Sequence, residues 1–285
     1  MNTRIEAINL RRLSSGGRGD LFLGQLRNKG TLVVVKFLRE SHLPHERQAF
    51  LREINILAMG IAGMIRLLAY DKDAVRPFYV MEYLSRGPLT RYVGLLSEQH
   101  LLAIATGLAD TLATFHTKAG GHGDFKPDNI LVSHDGQLKV GDPLGNGPLG
   151  VGFGFSVLFA PDRGGTEGYM APEVRNGAKV SPAADAFSYA ATLYHLVTGQ
   201  RPIDGQQLDP TMHGFACSEW LRQLIVLCSQ TNPKVRPTMN EVLRALRGES
   251  WQTIYEEKQR DQVLSGLIVC GLVVLGGAFL LQRSS

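Results

Sequence analysis

The sequence has few cysteines, no cluster of positive charge and no apolar segment near its amino terminus. Its three cysteines, Cys217, Cys228 and Cys270, cannot form a disulfide framework, and their long spacings match no zinc-binding pattern. We expect core thiols in a reducing compartment and no metal bound through sulfur. The 30 basic and 26 acidic residues leave a net charge of +4 without a basic cluster, so the sequence does not indicate a nucleic acid partner.

The composition is otherwise that of a protein whose bulk folds in water. Hydrophobic residues make up 44% and charged residues 20% of the 285 positions, which excludes a disordered chain and a chain that lies wholly in a membrane. The length corresponds to one large or two small domains. The 32 glycines are the one excess, and many of them indicate loops where the backbone approaches another group closely.

One long uncharged segment lies near the carboxyl terminus. Residues 263–281 are 19 consecutive uncharged positions, and as a helix they would extend about 28 Å, close to the ~30 Å core of a bilayer. The first 12 residues contain no secretory signal. We therefore expect a single-pass carboxyl-terminal anchor, with the preceding chain facing the cytoplasm, at the inner membrane if the source is bacterial. A buried core helix is the alternative.

The apolar segment also has a spacing that permits contacts between helices. Gly266 and Cys270 are small residues four positions apart, and such pairs allow close helix packing in lipid. A homodimer through this segment is therefore an expectation.

The pattern of apolar residues divides the preceding chain into two parts. Up to residue 83, short apolar runs at 21–23, 32–38 and 78–83 predict a small sheet, with one helix at 44–59 whose buried stripe is Phe50, Ile54 and Leu57. Helical periodicity then dominates, at 97–117, 183–198, 218–229 and 240–247. The polar stretch 249–262 is either a final helix or a spacer to the membrane.

Two features of the first part indicate anion binding. Residues 13–21 form a glycine-rich turn whose backbone N–H groups could approach phosphate oxygens, although an ordinary hairpin turn explains the pattern equally well. Lys36 stands in an apolar strand, where an ammonium group needs an anionic partner. Glu53 on the following helix can supply the carboxylate. A surface lysine whose ammonium reaches solvent is the alternative.

The strongest signal lies in residues 122–132. Asp124, Lys126 and Asn129 place a carboxylate, an ammonium and a carboxamide in one proline-containing loop before an apolar strand. Asp142 ends the next strand and could join Asn129 in holding Mg²⁺ through hard oxygen atoms. Asp128 and Asp135 are expected to be turn formers.

These motifs resemble those of the Ser/Thr protein kinases found in eukaryotes and many bacteria, over about residues 8–247. The resemblance implies a bilobal α+β fold, ATP and Mg²⁺ as cofactors, and Ser/Thr side chains of proteins as substrates. It also implies an organisation in four parts: an N-lobe at 8–84, a C-lobe at 85–247, a juxtamembrane linker at 248–262 and the transmembrane helix at 263–281.

The resemblance assigns a role to each matching residue. The glycine-rich loop and the residue covering adenine are Ser14, Gly16, Gly19 and Leu21. The phosphate lysine is Lys36, its helix partner is Glu53 with Glu46 as the second candidate, and the adenine pocket and hinge are Met81, Glu82, Tyr83 and Leu84. The catalytic base is Asp124, Lys126 neutralises the γ-phosphate, and the Mg²⁺ ligands are Asn129 and Asp142. Thr166 belongs to the substrate platform at 165–173, Glu173 pairs with Arg236, and Asp185 braces the catalytic loop.

Three positions depart from the family pattern. Ser14 replaces the usual first glycine of the loop. Gly123 replaces an arginine that clamps a phosphorylated activation loop, so we expect activity without such phosphorylation. Pro143 replaces an aromatic residue after Asp142 and fixes the local backbone. The alternatives to an active protein kinase are a pseudokinase that serves as a nucleotide-binding membrane scaffold, and a kinase of small molecules.

Overall fold

The computed structural model describes residues 7–15, 19–40, 43–144 and 168–260. It divides into two compact units, residues 1–240 and 241–285. The expected α+β architecture, a sheet-rich first part and a helical second part, is confirmed in the first unit. The lobe boundaries at 84 and 247 stay predictions.

The first part is an antiparallel sheet of five strands in the order β1-β2-β3-β5-β4. The strands are β1 (Ala7–Ser15), β2 (Gly19–Leu26), β3 (Leu32–Leu38), β4 (Leu67–Asp71) and β5 (Phe78–Glu82). β-Branched residues fill the centre of β3 because they suit a pleated, packed surface. Val33, Val35 and Val80 form the buried cluster that joins β3 to β5.

Two of these strands were missed by the sequence analysis. The described part of β1 is exposed from Asn9 to Leu13 and contains no apolar run. β4 begins with the short apolar run of residues 67–70, which the sequence analysis did not assign to a strand, and its residues are half-buried or exposed. Their place in the sheet comes from backbone pairing with β2 and β5.

One helix, α1 (Pro44–Ala58), accompanies the sheet. Pro44 occupies its first turn, where a missing N–H costs nothing, and Glu46 accepts a hydrogen bond from the Leu43 N–H at 2.6 Å. The predicted stripe of Phe50, Ile54 and Leu57 is buried. The stripe therefore places the same face of α1, which also bears Glu53, in the protein interior.

The second part is mainly helical. Its helices are α2 (Glu98–Ala119), α3 (Pro172–Arg175), α4 (Pro182–Thr198) and α5 (Glu219–Cys228), with short 3₁₀ turns at Leu89–Tyr92, Pro127–Asn129 and Pro210–His213. A small sheet of β6 (Gly87–Pro88), β7 (Ile130–Val132) and β8 (Leu138–Val140) borders the loop predicted to carry catalysis. The central helix is α4, which buries every residue except Pro182, Ala183 and Val197.

In the second unit, residues 251–260 of the stretch 249–262 form a helix, and the assignment of 248–262 as a juxtamembrane linker stays a prediction. This unit also contains most of α6 (Met239–Leu246). Arg244 lies 2.6 Å from Glu257, and Lys258 lies 3.0 Å from Glu241. No helix in the described ranges is long and apolar enough to cross a bilayer. The predicted anchor, residues 263–281, with Gly266 and Cys270, lies outside the described residues.

Candidate active site

Lys36 lies in the middle of β3 and is buried, with 5% of its surface exposed. Its Nζ is 2.8 Å from Glu53 Oε1, and the Tyr79 hydroxyl donates to the same oxygen at 2.7 Å. The surface-lysine interpretation is therefore wrong. The partner is Glu53, since Glu46 caps α1 instead.

The same ammonium group also reaches the second part of the chain. Lys36 Nζ lies 2.6 Å from Asp142 Oδ1, although 106 positions separate the two residues. Glu53 is fully buried, whereas 43% of the Asp142 side chain is exposed. One positive charge thus lies between a buried carboxylate and an accessible one.

The loop at 122–132 brings Asp124, Lys126 and Asn129 together. Lys126 Nζ donates to Asp124 Oδ1 at 2.8 Å. Asn129 Nδ2 donates to the main-chain oxygen of Asp124 at 2.7 Å and to its Oδ2 at 2.8 Å. Both N–H bonds of the carboxamide are used, so its oxygen is the atom that remains for another ligand.

Asp185, near the start of α4, binds the backbone of the loop at residues 122–132. Its carboxylate is buried and accepts hydrogen bonds from the backbone N–H groups of His122 at 2.6 Å and Gly123 at 2.9 Å. His116 on α2 contacts the same carboxylate at 2.9 Å. A buried carboxylate needs such donors, and these donors fix the backbone that leads into Asp124.

His122 connects the loop to the end of β8. Its Nε2 lies 3.0 Å from the carbonyl oxygen of Gly141, the residue before Asp142. Burial lowers the pKa of His122 below its ordinary value, and the opposing effects of Asp185 and Asp124 are smaller. The imidazole therefore positions two chain segments at once. Sequence reasoning gave no role to His122 or Tyr79; the position of His122 two residues before Asp124 was the available signal.

The backbone explains the glycine at position 123. Its φ is +85°, and an added Cβ would lie 3.0 Å from both methyl groups of Val180. An L-residue is strained at this φ. The backbone conformation at position 123 thus favours glycine over the arginine that the family pattern has there.

Glu173 on α3 and Arg236 form the expected ion pair. The guanidinium contacts the two carboxylate oxygens at 2.7 and 2.9 Å, and it also donates to the carbonyl oxygens of Ala183 and Gln230 at 2.8 and 2.6 Å. The Arg236 side chain is fully buried. One side chain therefore joins α3, the start of α4 and the loop after α5.

The residues expected around the nucleotide lie on β2, β3 and β5. Leu21 pairs with Lys36 in the sheet register, and Met81 pairs with Val34. At Gly19 an added Cβ would lie 2.6 Å from the carbonyl oxygen of Phe37, so a side chain has no room.

The hinge follows at the end of β5. Glu82 accepts a hydrogen bond from the Arg66 N–H at 2.7 Å, and Leu84 is buried. The Ser14 backbone pairs with Leu21 across the hairpin. Gly16 and Thr166 lie outside the described residues.

Comparison with known proteins identifies the family. The protein kinase domain model matches residues 8–246, which is most of the chain. The chain belongs to the protein kinase family. Similar proteins include the probable serine/threonine-protein kinase PkwA of Thermomonospora curvata, with 29% identity over 84% of this chain and 34% of the relative.

Two plant kinases are similar to the same extent. The rust resistance kinase Lr10 of Triticum aestivum is 28% identical over 83% of this chain and 43% of its own length. The LRR receptor kinase SERK2 of Oryza sativa subsp. japonica is 28% identical over 88% of this chain and 47% of its own. The chain thus spans about a third to a half of the curated relatives that it matches.

Proposed function

We propose that this kinase domain transfers the γ-phosphoryl group of ATP to Ser or Thr hydroxyl groups of proteins. The observation that carries the proposal is the position of Lys36, whose ammonium contacts Glu53 and Asp142 from segments far apart in the chain. Phosphoryl transfer requires mainly positioning and charge neutralisation. The charged side chains to which the resemblance assigns these tasks, Lys36, Glu53, Asp124, Lys126 and Asp142, are present in this sequence.

The donor set of the site suits Mg²⁺ and nucleotide phosphates. Mg²⁺ prefers oxygen ligands and is commonly held by one or two protein groups together with substrate phosphates. The Asn129 carboxamide oxygen and the accessible Asp142 carboxylate are such groups, although no set of three His, Cys, Asp or Glu side chains in the described ranges forms a metal site. When bound, Mg²⁺ would neutralise charge on the phosphates.

The protein's own residues would perform the remaining steps. Lys36, held by Glu53, would bind the α- and β-phosphates. Asp124 would accept the proton of the substrate hydroxyl, and its hydrogen bonds from Lys126 and Asn129 fix the orientation of the carboxylate. Lys126 would place a positive charge beside the transferred group. Met81 and Leu84 are buried apolar residues beside the hinge and suit an adenine ring.

The proposal is tested by phosphorylation of a protein substrate pool with radiolabelled ATP. Loss of a positioned general base costs about 10²–10⁴ in rate, so Asp124→Ala is expected to lower labelling of Ser and Thr by that factor. Asp135→Ala, which removes an exposed turn carboxylate, is the matched control and keeps full activity. Wild-type labelling no higher than that of Asp124→Ala would favour the pseudokinase alternative, to which Pro143 points. Labelling of metabolites alone would favour a small-molecule kinase.

We also propose that residues 263–281 anchor the domain in a membrane, with the kinase domain on the cytoplasmic side. The support is the sequence of this segment, which is uncharged and long enough to span a bilayer. At the inner membrane of a bacterium, such an anchor would restrict the kinase to substrates near the bilayer. A homodimer through Gly266 and Cys270 stays a prediction.

A further inference from the structure

Gly168 and Tyr169 lead directly into the α3 segment and are held by three side chains that the proposed mechanism does not use. The Asp204 Oδ1 accepts a hydrogen bond from the Gly168 N–H at 2.7 Å. Ser188 on α4 donates to the carbonyl oxygen of Tyr169 at 2.8 Å. His195, about two turns after Ser188 on α4, shares a hydrogen bond through Nδ1 with the Tyr169 hydroxyl. We refer to Asp204, Ser188 and His195 as the clamp.

Further close contacts restrict the position of Gly168 and of Asp204. Gly168 has φ +87°, and an added Cβ would lie 1.8 Å from the carbonyl oxygen of Pro202, so the chain passes this point in close contact with the loop after α4. Arg175 on α3 holds the second oxygen of Asp204 at 2.9 Å. Asp204 therefore ties the loop after α4 both to Gly168 and to α3.

The hydrogen bond between Tyr169 and the clamp residue His195 is buried. Tyr169 and His195 are 3% and 5% exposed. Burial raises the pKa of Tyr169 and lowers the pKa of His195, so the neutral forms of both groups are favoured. The neutral phenol and the neutral imidazole can form a hydrogen bond without burying a charge.

The clamp also lies within electrostatic range of the catalytic loop. The negative charge of Asp128, between Lys126 and Asn129, raises the pKa of both Tyr169 and His195, and the positive charge of Arg201 lowers both. Gly168 and Tyr169 follow the predicted substrate platform residue Thr166 in sequence. The proposed substrate platform is thus held at Gly168 and Tyr169, its first described residues.

We propose that Asp204, Ser188 and His195 are positioning residues that hold Gly168 and Tyr169 in the place required for binding a protein substrate. This inference rests on the proposed kinase function. The three side chains do not touch the reacting groups, so they affect the affinity for the protein substrate and leave the handling of ATP unchanged. Their geometry can also be tested without any activity.

The experiment compares pairs of variants in the full chain. Asp204→Ala removes both contacts of the carboxylate, whereas Asp204→Asn keeps an acceptor for the Gly168 N–H. Likewise His195→Leu removes the polar atom at Nδ1, whereas His195→Asn keeps one that can donate or accept. Asp110→Ala, at an exposed position of α2, is the matched control. KM for a peptide, KM for ATP and hydrogen exchange at the Gly168 amide are measured for each variant.

The clamp predicts that Asp204→Ala and His195→Leu raise the peptide KM about tenfold, with the ATP KM and kcat within about twofold of wild type. The two Asn variants recover most of this loss. Exchange at the Gly168 amide becomes about tenfold faster in Asp204→Ala and stays slow in Asp204→Asn. An equal rise of both KM values, or a peptide KM that does not change while Gly168 exchange rises, overturns the positioning role.

The exchange measurement separates this inference from the proposed function. If the wild type phosphorylates no peptide, the kinase proposal fails, and the amide data still decide whether the clamp exists. Unchanged Gly168 exchange in a folded Asp204→Ala variant overturns the clamp itself. Should His195→Leu fail to fold, the Asp204 pair decides the outcome, because the Asp204 side chain is partly exposed.

Discussion

At the scale of single residues, buried charge explains the connections of the candidate site. Lys36 is surrounded by apolar strand residues, and its desolvated ammonium is stable only beside carboxylates. Glu53 satisfies this need within the first part of the chain, and Asp142 extends it to the second part. A residue that would be costly alone thereby becomes the link between two distant segments.

Replacing this lysine should harm both activity and stability. Lys36→Met leaves Glu53 buried without its ammonium partner, and breaking such a pair costs about 3–5 kcal/mol. We expect loss of phosphotransfer and a lower free energy of unfolding, measured by denaturant titration. The double variant Lys36→Met/Glu53→Gln should recover part of the stability but none of the activity. Lys29→Met, in an exposed turn, is the control; a double variant no more stable than the single one would contradict this account.

The pKa of His195 makes a prediction about pH. Burial and Arg201 lower it below the ordinary value near 6.5, against the opposite effect of Asp128. The unfolded chain therefore binds a proton at a higher pH than the folded one, and stability is lost as pH falls from about 7 through the folded pKa. His195→Asn keeps the contact with Tyr169 and does not titrate. Its unfolding free energy should fall less steeply than that of wild type between about pH 7 and 5, and equal slopes would refute the assignment.

At the scale of secondary-structure elements, ion pairs and capping residues fix how helices meet. Arg236 is the clearest case, because one guanidinium binds the carboxylate of α3 and a carbonyl oxygen at the start of α4. The planar group suits this bidentate contact, and a lysine could not reproduce it.

Removal of that guanidinium should loosen α3 from α4. Arg236→Met leaves the Glu173 carboxylate, 19% exposed, without its partner, at a cost of about 3–5 kcal/mol. For a domain of this size this corresponds to a melting temperature lower by about 10 °C. Glu173→Gln keeps one oxygen acceptor and should cost less. Thermal unfolding followed by circular dichroism measures both, with the exposed Arg91→Met as control, and equal melting temperatures for Arg236→Met and wild type would exclude the structural role.

At the scale of the whole molecule, two compact units follow one another along the chain. The family match ends at residue 246, close to the boundary between them. The second unit begins within α6 and contains a separate helix over residues 251–260, after which the sequence leads into the proposed anchor. The two proposals therefore place catalysis and membrane anchoring in different segments of the chain.

The anchor proposal predicts the behaviour of the intact chain in cell fractionation. The full-length protein should stay with the membranes after an alkaline carbonate wash, because residues 263–281 would be inserted in lipid rather than bound at its surface. Deletion after Gln262 should release it. The double variant Gly271→Arg/Leu272→Arg is a full-length control and should also be released. Recovery of the unaltered chain in the soluble fraction would refute the proposal.

Much of this description followed from sequence because the decisive features are local. The spacing of Asp124, Lys126 and Asn129 lies within one loop, and the stripe of Phe50, Ile54 and Leu57 lies within one helix; short-range geometry determines both. The same reasoning missed β1, which is largely exposed, and β4, whose apolar run spans only four residues.

Tertiary structure decided which distant groups meet. Glu46 and Glu53 were both candidate partners of Lys36, and only the packing of α1 against β3 and β5 selected Glu53, leaving Glu46 to cap the helix. The contacts of Asp204 with Gly168 and of His195 with Tyr169 likewise join residues 36 and 26 positions apart. No sequence period records such contacts, because they arise when the chain packs around buried α4. Residue types determined the chemistry available to this protein, and packing determined where that chemistry is brought together.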